Sequence, residues 1–204
     1  MALQILLIWA KGPPSNAENQ AVRAAIADAQ RIFGTLTLAI WGEVNREEEG
    51  PLPNLIGYTD AQDFVDANSA SGRDVLRVRD LYLDANHRLA TPVYVLFVVP
   101  QDELHNANGF SLLGGYCSVL PVPTGLPGTA DGHTYAHEIA HGLGLPHVDS
   151  TANCMFPYRI VPPSALSGDE LTTDQKVAMR SFLQAHLSLS EASSLNAVMA
   201  NPVG

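Results

Sequence analysis

Three histidines within one short run can hold a metal ion. The run reads His137-Glu138-Ile139-Ala140-His141-Gly142-Leu143-Gly144-Leu145-Pro146-His147, and Met155 follows it. Residues four apart on a helix lie about 40° apart around the axis and roughly 6 Å along it, so they share a face. His137 and His141 can therefore aim two imidazoles at one ion. Neutral imidazole suits zinc, and a catalytic zinc takes three protein ligands and keeps its fourth position open. A straight helix cannot deliver the third ligand. Gly144 can end the helix, because glycine accepts positive φ, and the chain can then double back to bring His147 in from the side. Glu138 stands beside the first ligand, where its carboxylate can serve as a general base toward water. A Gly-x-Ser-x-Gly elbow and a phosphate-binding Gly-Lys-Ser/Thr loop are both absent, so neither serine-nucleophile nor nucleotide chemistry competes.

Two neighbours of the run are weighed against it. His133 stands four residues before His137, but as a ligand it would displace the pattern in which glutamate follows the first histidine. It is expected to sit at a cleft rim or to cap the helix. Asp149 is expected to be a hydrogen-bonding residue of the following turn.

The stretch resembles the metzincin zinc endopeptidases, whose signature is His-Glu-x-x-His-x-x-Gly-x-x-His followed by a methionine-bearing turn. Every fixed position is matched. The spacing to Met155, and the Phe156-Pro157 after it, are most similar to the matrixin branch, where Met-Tyr-Pro is usual. The resemblance implies an α/β (α+β) catalytic domain: a mixed twisted sheet with an antiparallel edge strand, an active-site helix and a C-terminal helix. It implies one domain over 1–204, with an upper part to 147 carrying the sheet and zinc helix and a small lower part over 148–204. One zinc ion would be held by His137, His141 and His147, and Glu138 would be the base for hydrolysing peptide bonds inside a protein or peptide. Met155 would form an apolar floor beneath the ion. Astacin-like members place a zinc-binding tyrosine two residues after the methionine, where this chain has Pro157; matrixins have a tyrosine four after, where it has Arg159. Pro157, Tyr158 and Arg159 are therefore expected to wall the substrate pocket and not to bind zinc. Substrate would lie extended along an edge strand near Leu112 to Val119. Two other readings stay open: a zinc-binding module without turnover, which would have no need of Glu138, and a peptidase restricted to chain termini.

Cys117 and Cys154 flank this stretch, and three states compete for them. They could form a disulfide, stay free and buried as small apolar residues, or supply a thiolate to the open zinc position. The pairing that some metzincins make just before the Met-turn methionine favours the disulfide.

Composition sets the frame. The chain has 204 residues, a net charge of −10 and 46 % hydrophobic residues. That suits one domain with a sizeable core. The acidic balance disfavours nucleic acid and anionic membrane surfaces as partners. No apolar run reaches the ~18 residues of a spanning helix. A monomer is expected. Met1 to Ala10 lacks the basic start of a signal peptide and reads as a first buried strand. Secretion is favoured only by the family resemblance.

The elements that must position the histidines follow in order. Leu3 to Trp9 is nearly all apolar, like a strand covered on both faces. Ala17 to Phe33 carries Ala21, Ala25, Ile26, Ala29, Ile32 and Phe33 at helical spacing, closed by Gly34. Thr35 to Trp41 is a second strand, which makes a parallel strand–helix–strand unit. The acidic stretch Glu43 to Gly57 reads as an exposed loop. Thr59 to Ala70 is expected to be a short helix, Asp74 to Asp84 is ambiguous, and Val93 to Val99 is a strong strand. Phe110 to Pro121 is expected to be one edge strand. The metal-bearing helix should run from an Asp131 cap to about Leu143. Thr172 and Gln175 form a capping box for a last helix marked by Val177, Met179, Phe182, Leu183 and Leu187.

Overall fold

The apolar run at the start of the chain becomes β1 (Ala2–Trp9), an interior strand. The computed structural model describes residues 2–10, 12–34, 36–45, 64–65, 73, 75–80, 93–100, 104, 108–126, 130–157 and 170–185. Helix α1 (Asn16–Phe33) follows, started by a capping box between Ser15 and Glu18 and ended at Gly34. Further strands are β2 (Thr37–Asn45), β3 (Phe64–Val65), β4 (Val93–Val99), β5 (Phe110–Leu112) and β6 (Cys117–Pro121). Helix α2 covers 75–80, α3 is Gly132–Gly142, and α4 covers 173–185. The strands form one sheet in the order β2-β1-β4-β6-β5-β3. Strands β2, β1, β4 and β6 run parallel, β5 is antiparallel to β6, and β3 runs with β5. This is the mixed α/β sheet with an antiparallel margin that the resemblance implied.

Both faces of the sheet are covered, which is why β1 and β4 are apolar on both faces, with Gln4 of β1 an exception. Leu3, Ile5, Leu7 and Trp9 of β1, with Tyr94, Leu96 and Val98 of β4, pack against α1 and α3. Leu6 and Ile8, with Val93, Val95, Phe97 and Val99, face the other way, toward Val75 and Val78 of α2. Helix α4 carries the capping box expected of it: the Gln175 amide donates to Thr172 Oγ1 at 3.2 Å, and the Thr172 amide to Gln175 Oε1 at 2.9 Å. Its Met179 and Leu183 enter the α1/α3 core, and Phe182 stacks on Tyr116 with ring centres 5.1 Å apart. Val177, expected on the buried face, is instead 52 % exposed.

Four expectations are corrected. Phe110 to Pro121 is not one edge strand. The chain reverses at 113–116, with Gly114 at φ 69 and Tyr116 at φ 53, and the Gly115 amide donates to the Leu112 carbonyl at 2.8 Å. Strand β6 thereby lies inside the sheet, bonded to β4 on one side and β5 on the other, and β3 flanks β5. The interval from Leu112 to Val119 is thus no continuous edge for a substrate. Residues 64–65 of the expected 59–70 helix are strand, and the second strand runs on to Asn45, into the expected acidic loop.

The sheet and α3 approach so closely that Gly142 has no room for a side chain: a Cβ there would overlap the Tyr94 hydroxyl and ring. Gly142→Ala is expected to lower stability by about 1–3 kcal/mol through overpacking. Urea unfolding checks this, and an unchanged midpoint would contradict the close approach.

Candidate metal centre

Helix α3 starts where the chain needs it to. The Asp131 carboxylate accepts from the Thr134 amide at 2.9 Å, the N-cap bond that the sequence pattern anticipates. At its other end the Gly144 amide donates to the His141 carbonyl at 2.8 Å and the Leu145 amide to the Ala140 carbonyl at 3.0 Å. This pair of bonds is a Schellman closure, and Gly144 supplies its left-handed residue at φ 88. The β5–β6 turn caps the same end: the Gly114 amide donates to the His141 carbonyl at 2.9 Å, and the Tyr116 amide to the Gly142 carbonyl at 3.1 Å. The helix end is thus held by backbone bonds from two directions, and the chain leaves it toward His147.

The three histidines converge as the spacing requires. Nε2 of His141 lies 3.0 Å from Nε2 of His137 and 3.0 Å from Nε2 of His147, and the third separation is 3.3 Å. Tetrahedral ligands about 2.0–2.1 Å from a zinc ion stand roughly 3.3–3.4 Å apart, so the set fits such an ion closely. The outer nitrogens show which tautomers are present. His137 Nδ1 is 2.7 Å from the Cys154 carbonyl and His141 Nδ1 is 2.6 Å from the Leu145 carbonyl. A carbonyl only accepts, so each Nδ1 carries a proton, which in the neutral ring leaves the Nε2 lone pair directed inward. His137 and His141 are buried and His147 is half-buried, which leaves one side of the cluster open to solvent. These histidines are the metal-capable group found among the described residues.

The turn after the helix is part of the same construction. Asn153 to Phe156 closes as a turn, with the Phe156 amide donating to the Asn153 carbonyl at 3.0 Å, and Met155 within it is fully buried. The Asn153 side chain fixes the turn from inside by accepting from the Met155 amide at 2.9 Å. The Cys154 amide meanwhile donates to the Glu170 carbonyl at 2.9 Å. This turn presents the Cys154 carbonyl that orients His137.

The remaining expected residues divide. His133 is buried, with Nδ1 3.9 Å from Cys154 Sγ; it neither joins the histidine cluster nor caps the helix, which Asp131 does. Asp149 is exposed, and Pro157 is half-buried just past the turn. Tyr158 and Arg159 lie outside the described residues. Cys117 and Cys154 are both buried thiols outside any disulfide. The disulfide expected as one possibility is not formed: Cys154 belongs to the core on the α1/α3 face and Cys117 to the core on the opposite face. Burial pushes the Cys117 thiol up to about 12, which makes it a small apolar residue and not a thiolate.

Glu138 is buried at 2 % exposure, and its Oε2 accepts from Ser111 Oγ at 2.8 Å. Ser111, Ser118 and Tyr94 gather around it, a group the motif does not announce. The available signal was polarity: two serines in otherwise apolar strand segments are buried polar groups in need of partners.

No protein-family model matches the chain, and no curated protein matches it in sequence. Solved structures do. The fold is similar to that of metalloproteinase-II from Bacteroides fragilis, with a TM-score of 0.55 and 15 % identity over 89 % of this chain. The chain spans about half of that protein, 53 % of its length. It is also similar to a zinc-dependent peptidase from Methanocorpusculum labreanum, with a TM-score of 0.51 and 14 % identity, covering 86 % of this chain and 99 % of that one. The likeness is one of fold.

The cluster is expected to take up one zinc ion per chain. His141→Ala should weaken zinc binding by more than the roughly 10–100-fold that loss of an outer partner costs. Competition titration against a chromogenic chelator checks this; unchanged affinity would remove His141 from the ligand set.

Proposed function

We propose that the chain is a zinc-dependent peptidase of the metzincin type, nearest to the matrixin-like branch by its spacing to Met155, and that it cuts within peptide chains. The observation that carries this reading is the convergence of three Nε2 atoms at 3.0–3.3 Å, with a glutamate next to the first ligand. The fold likeness to proteins described as a metalloproteinase and a zinc-dependent peptidase supports it.

Zinc held by three neutral imidazoles supplies Lewis acidity, which activates water near neutral pH and polarises a peptide carbonyl. The Cys154 and Leu145 carbonyls keep His137 and His141 in the tautomer that binds a cation. Glu138 takes a proton from water and returns it to the leaving amine. Its burial removes competing solvent from that transfer. The fully buried Met155 packs as an apolar floor, and Pro157 stands beside the pocket for the residue after the scissile bond. The substrate is a protein or peptide bound in extended form. The acidic chain, acting as a monomer, has no footprint for nucleic acid. His147 divides an upper sheet-bearing part from a smaller lower part. Export from the cell fits such an activity.

Glu138→Ala is expected to keep zinc and to lose turnover of unfolded casein by about 10²–10⁴-fold, because it removes proton transfer and not a ligand. Metal analysis alongside a casein digest checks this. Near-parental turnover would exclude Glu138 as the base. A parent that binds zinc but leaves casein whole would make the chain a binding module, and products trimmed only from the ends would make it a terminal peptidase.

A further inference from the structure

We propose that Ser111 is a positioning residue for Glu138, the last donor in a chain of three buried hydroxyls that holds the carboxylate in one orientation. This rests on the reading of Glu138 as the base. Tyr94, Ser118 and Ser111 stand on β4, β6 and β5, consecutive strands of the sheet, and all three lie against α3. Tyr94 is fully buried, and Ser111 and Ser118 are each 1 % exposed. The Tyr94 hydroxyl contacts Ser118 Oγ. Ser118 Oγ is 2.6 Å from Ser111 Oγ, and Ser111 Oγ is 2.8 Å from Glu138 Oε2.

Counting protons gives the chain a direction. An ionised carboxylate only accepts, so the Ser111 proton goes to Oε2. Ser111 Oγ is then open to accept from Ser118, which accepts from Tyr94. Three hydroxyl protons run one way and end on one carboxylate oxygen. The competing acceptor is the Glu138 main-chain carbonyl, 2.6 Å from Ser111 Oγ and 3.1 Å from Ser118 Oγ. Bonds to an ionised acceptor are roughly twice as strong as neutral ones, and a donor chain strengthens its last member, so the carboxylate wins the Ser111 proton. Burial holds the Tyr94 phenol well above its ordinary range, which keeps it a donor. The backbone leaves room for this arrangement: a Cβ at Gly109 would come within 3.0 Å of Glu138 Cγ. A glutamate side chain has three rotatable bonds, and catalysis requires it in one arrangement; a rigid strand supplying the fixing donor provides that.

The test compares Ser111→Ala and Ser111→Thr in the full chain. Ser111→Ala is expected to lower kcat about 10–100-fold, with KM and zinc affinity unchanged within about twofold, and Ser111→Thr to restore most of kcat. An unchanged kcat in Ser111→Ala, while Glu138→Ala is inactive, overturns the proposal and leaves the base assignment standing. So does a zinc affinity that falls in step with kcat. A second readout needs no activity. In the zinc-free chain, the urea midpoints of Ser111→Ala, Glu138→Ala and the double variant are expected to be non-additive, the double shift being smaller than the sum. Additive shifts assign the Ser111 proton to the main-chain carbonyl and overturn the proposal. If Glu138→Ala keeps full turnover, the base reading fails, and this cycle alone decides whether Ser111 holds the carboxylate. Should Ser111→Ala not fold, Ser118→Ala, which removes the donor to Ser111, is expected to lower kcat about threefold or more at constant KM. An unchanged kcat there overturns the donor chain.

Discussion

The Nε2 atoms of His137, His141 and His147 are held 3.0–3.3 Å apart, a spacing that suits three ligands of one cation. Two of the rings are fixed in orientation, because the opposite nitrogen of each sits on a carbonyl oxygen. The segment after α3 is arranged to sustain this convergence. The Schellman closure at Gly144 supplies the Leu145 carbonyl to His141 and sends the chain toward His147. The turn at Asn153 supplies the Cys154 carbonyl to His137.

The sheet matters to the site through its antiparallel margin. Four parallel strands bury the helices, but β5 and its turn do what a parallel strand could not. The Tyr116 amide satisfies the Gly142 carbonyl at the end of α3, and the Gly114 amide adds a second donor to the His141 carbonyl that Gly144 already serves. The strand puts a hydroxyl against the glutamate that follows the first ligand. Stability and site geometry therefore share bonds. The same contact that seats α3 on the sheet, Gly142 under Tyr94, leads through Ser118 and Ser111 to the Glu138 carboxylate.

Much of this was legible in the sequence, wherever one residue type forces one local geometry. Asp131 and Gly144 marked the ends of α3, Thr172 with Gln175 the start of α4, and the apolar run of β1 its burial on two faces. The histidine spacing anticipated the convergence of the three rings because helical periodicity and a chain reversal leave little choice. What was not legible depended on pairing across distance. Gly114 and Gly115 signal a turn, yet apolar residues on both sides made the segment read as one strand, and nothing local shows that β6 lies between β4 and β5. Cys117 and Cys154 have a spacing that permits a bridge, but the bridge depends on which face of the sheet each occupies, and they occupy different ones. Ser111 and Ser118 meet Glu138 only once β5 and β6 pair and place both hydroxyls under α3.

The measurement closest to the central claim is zinc K-edge absorption on the zinc-loaded chain, which counts and identifies the atoms around the ion. Three imidazole nitrogens at about 2.0–2.1 Å and no sulfur are predicted. Sulfur at about 2.3 Å, or fewer than three imidazoles, would contradict the assignment of His137, His141 and His147 as the protein ligands.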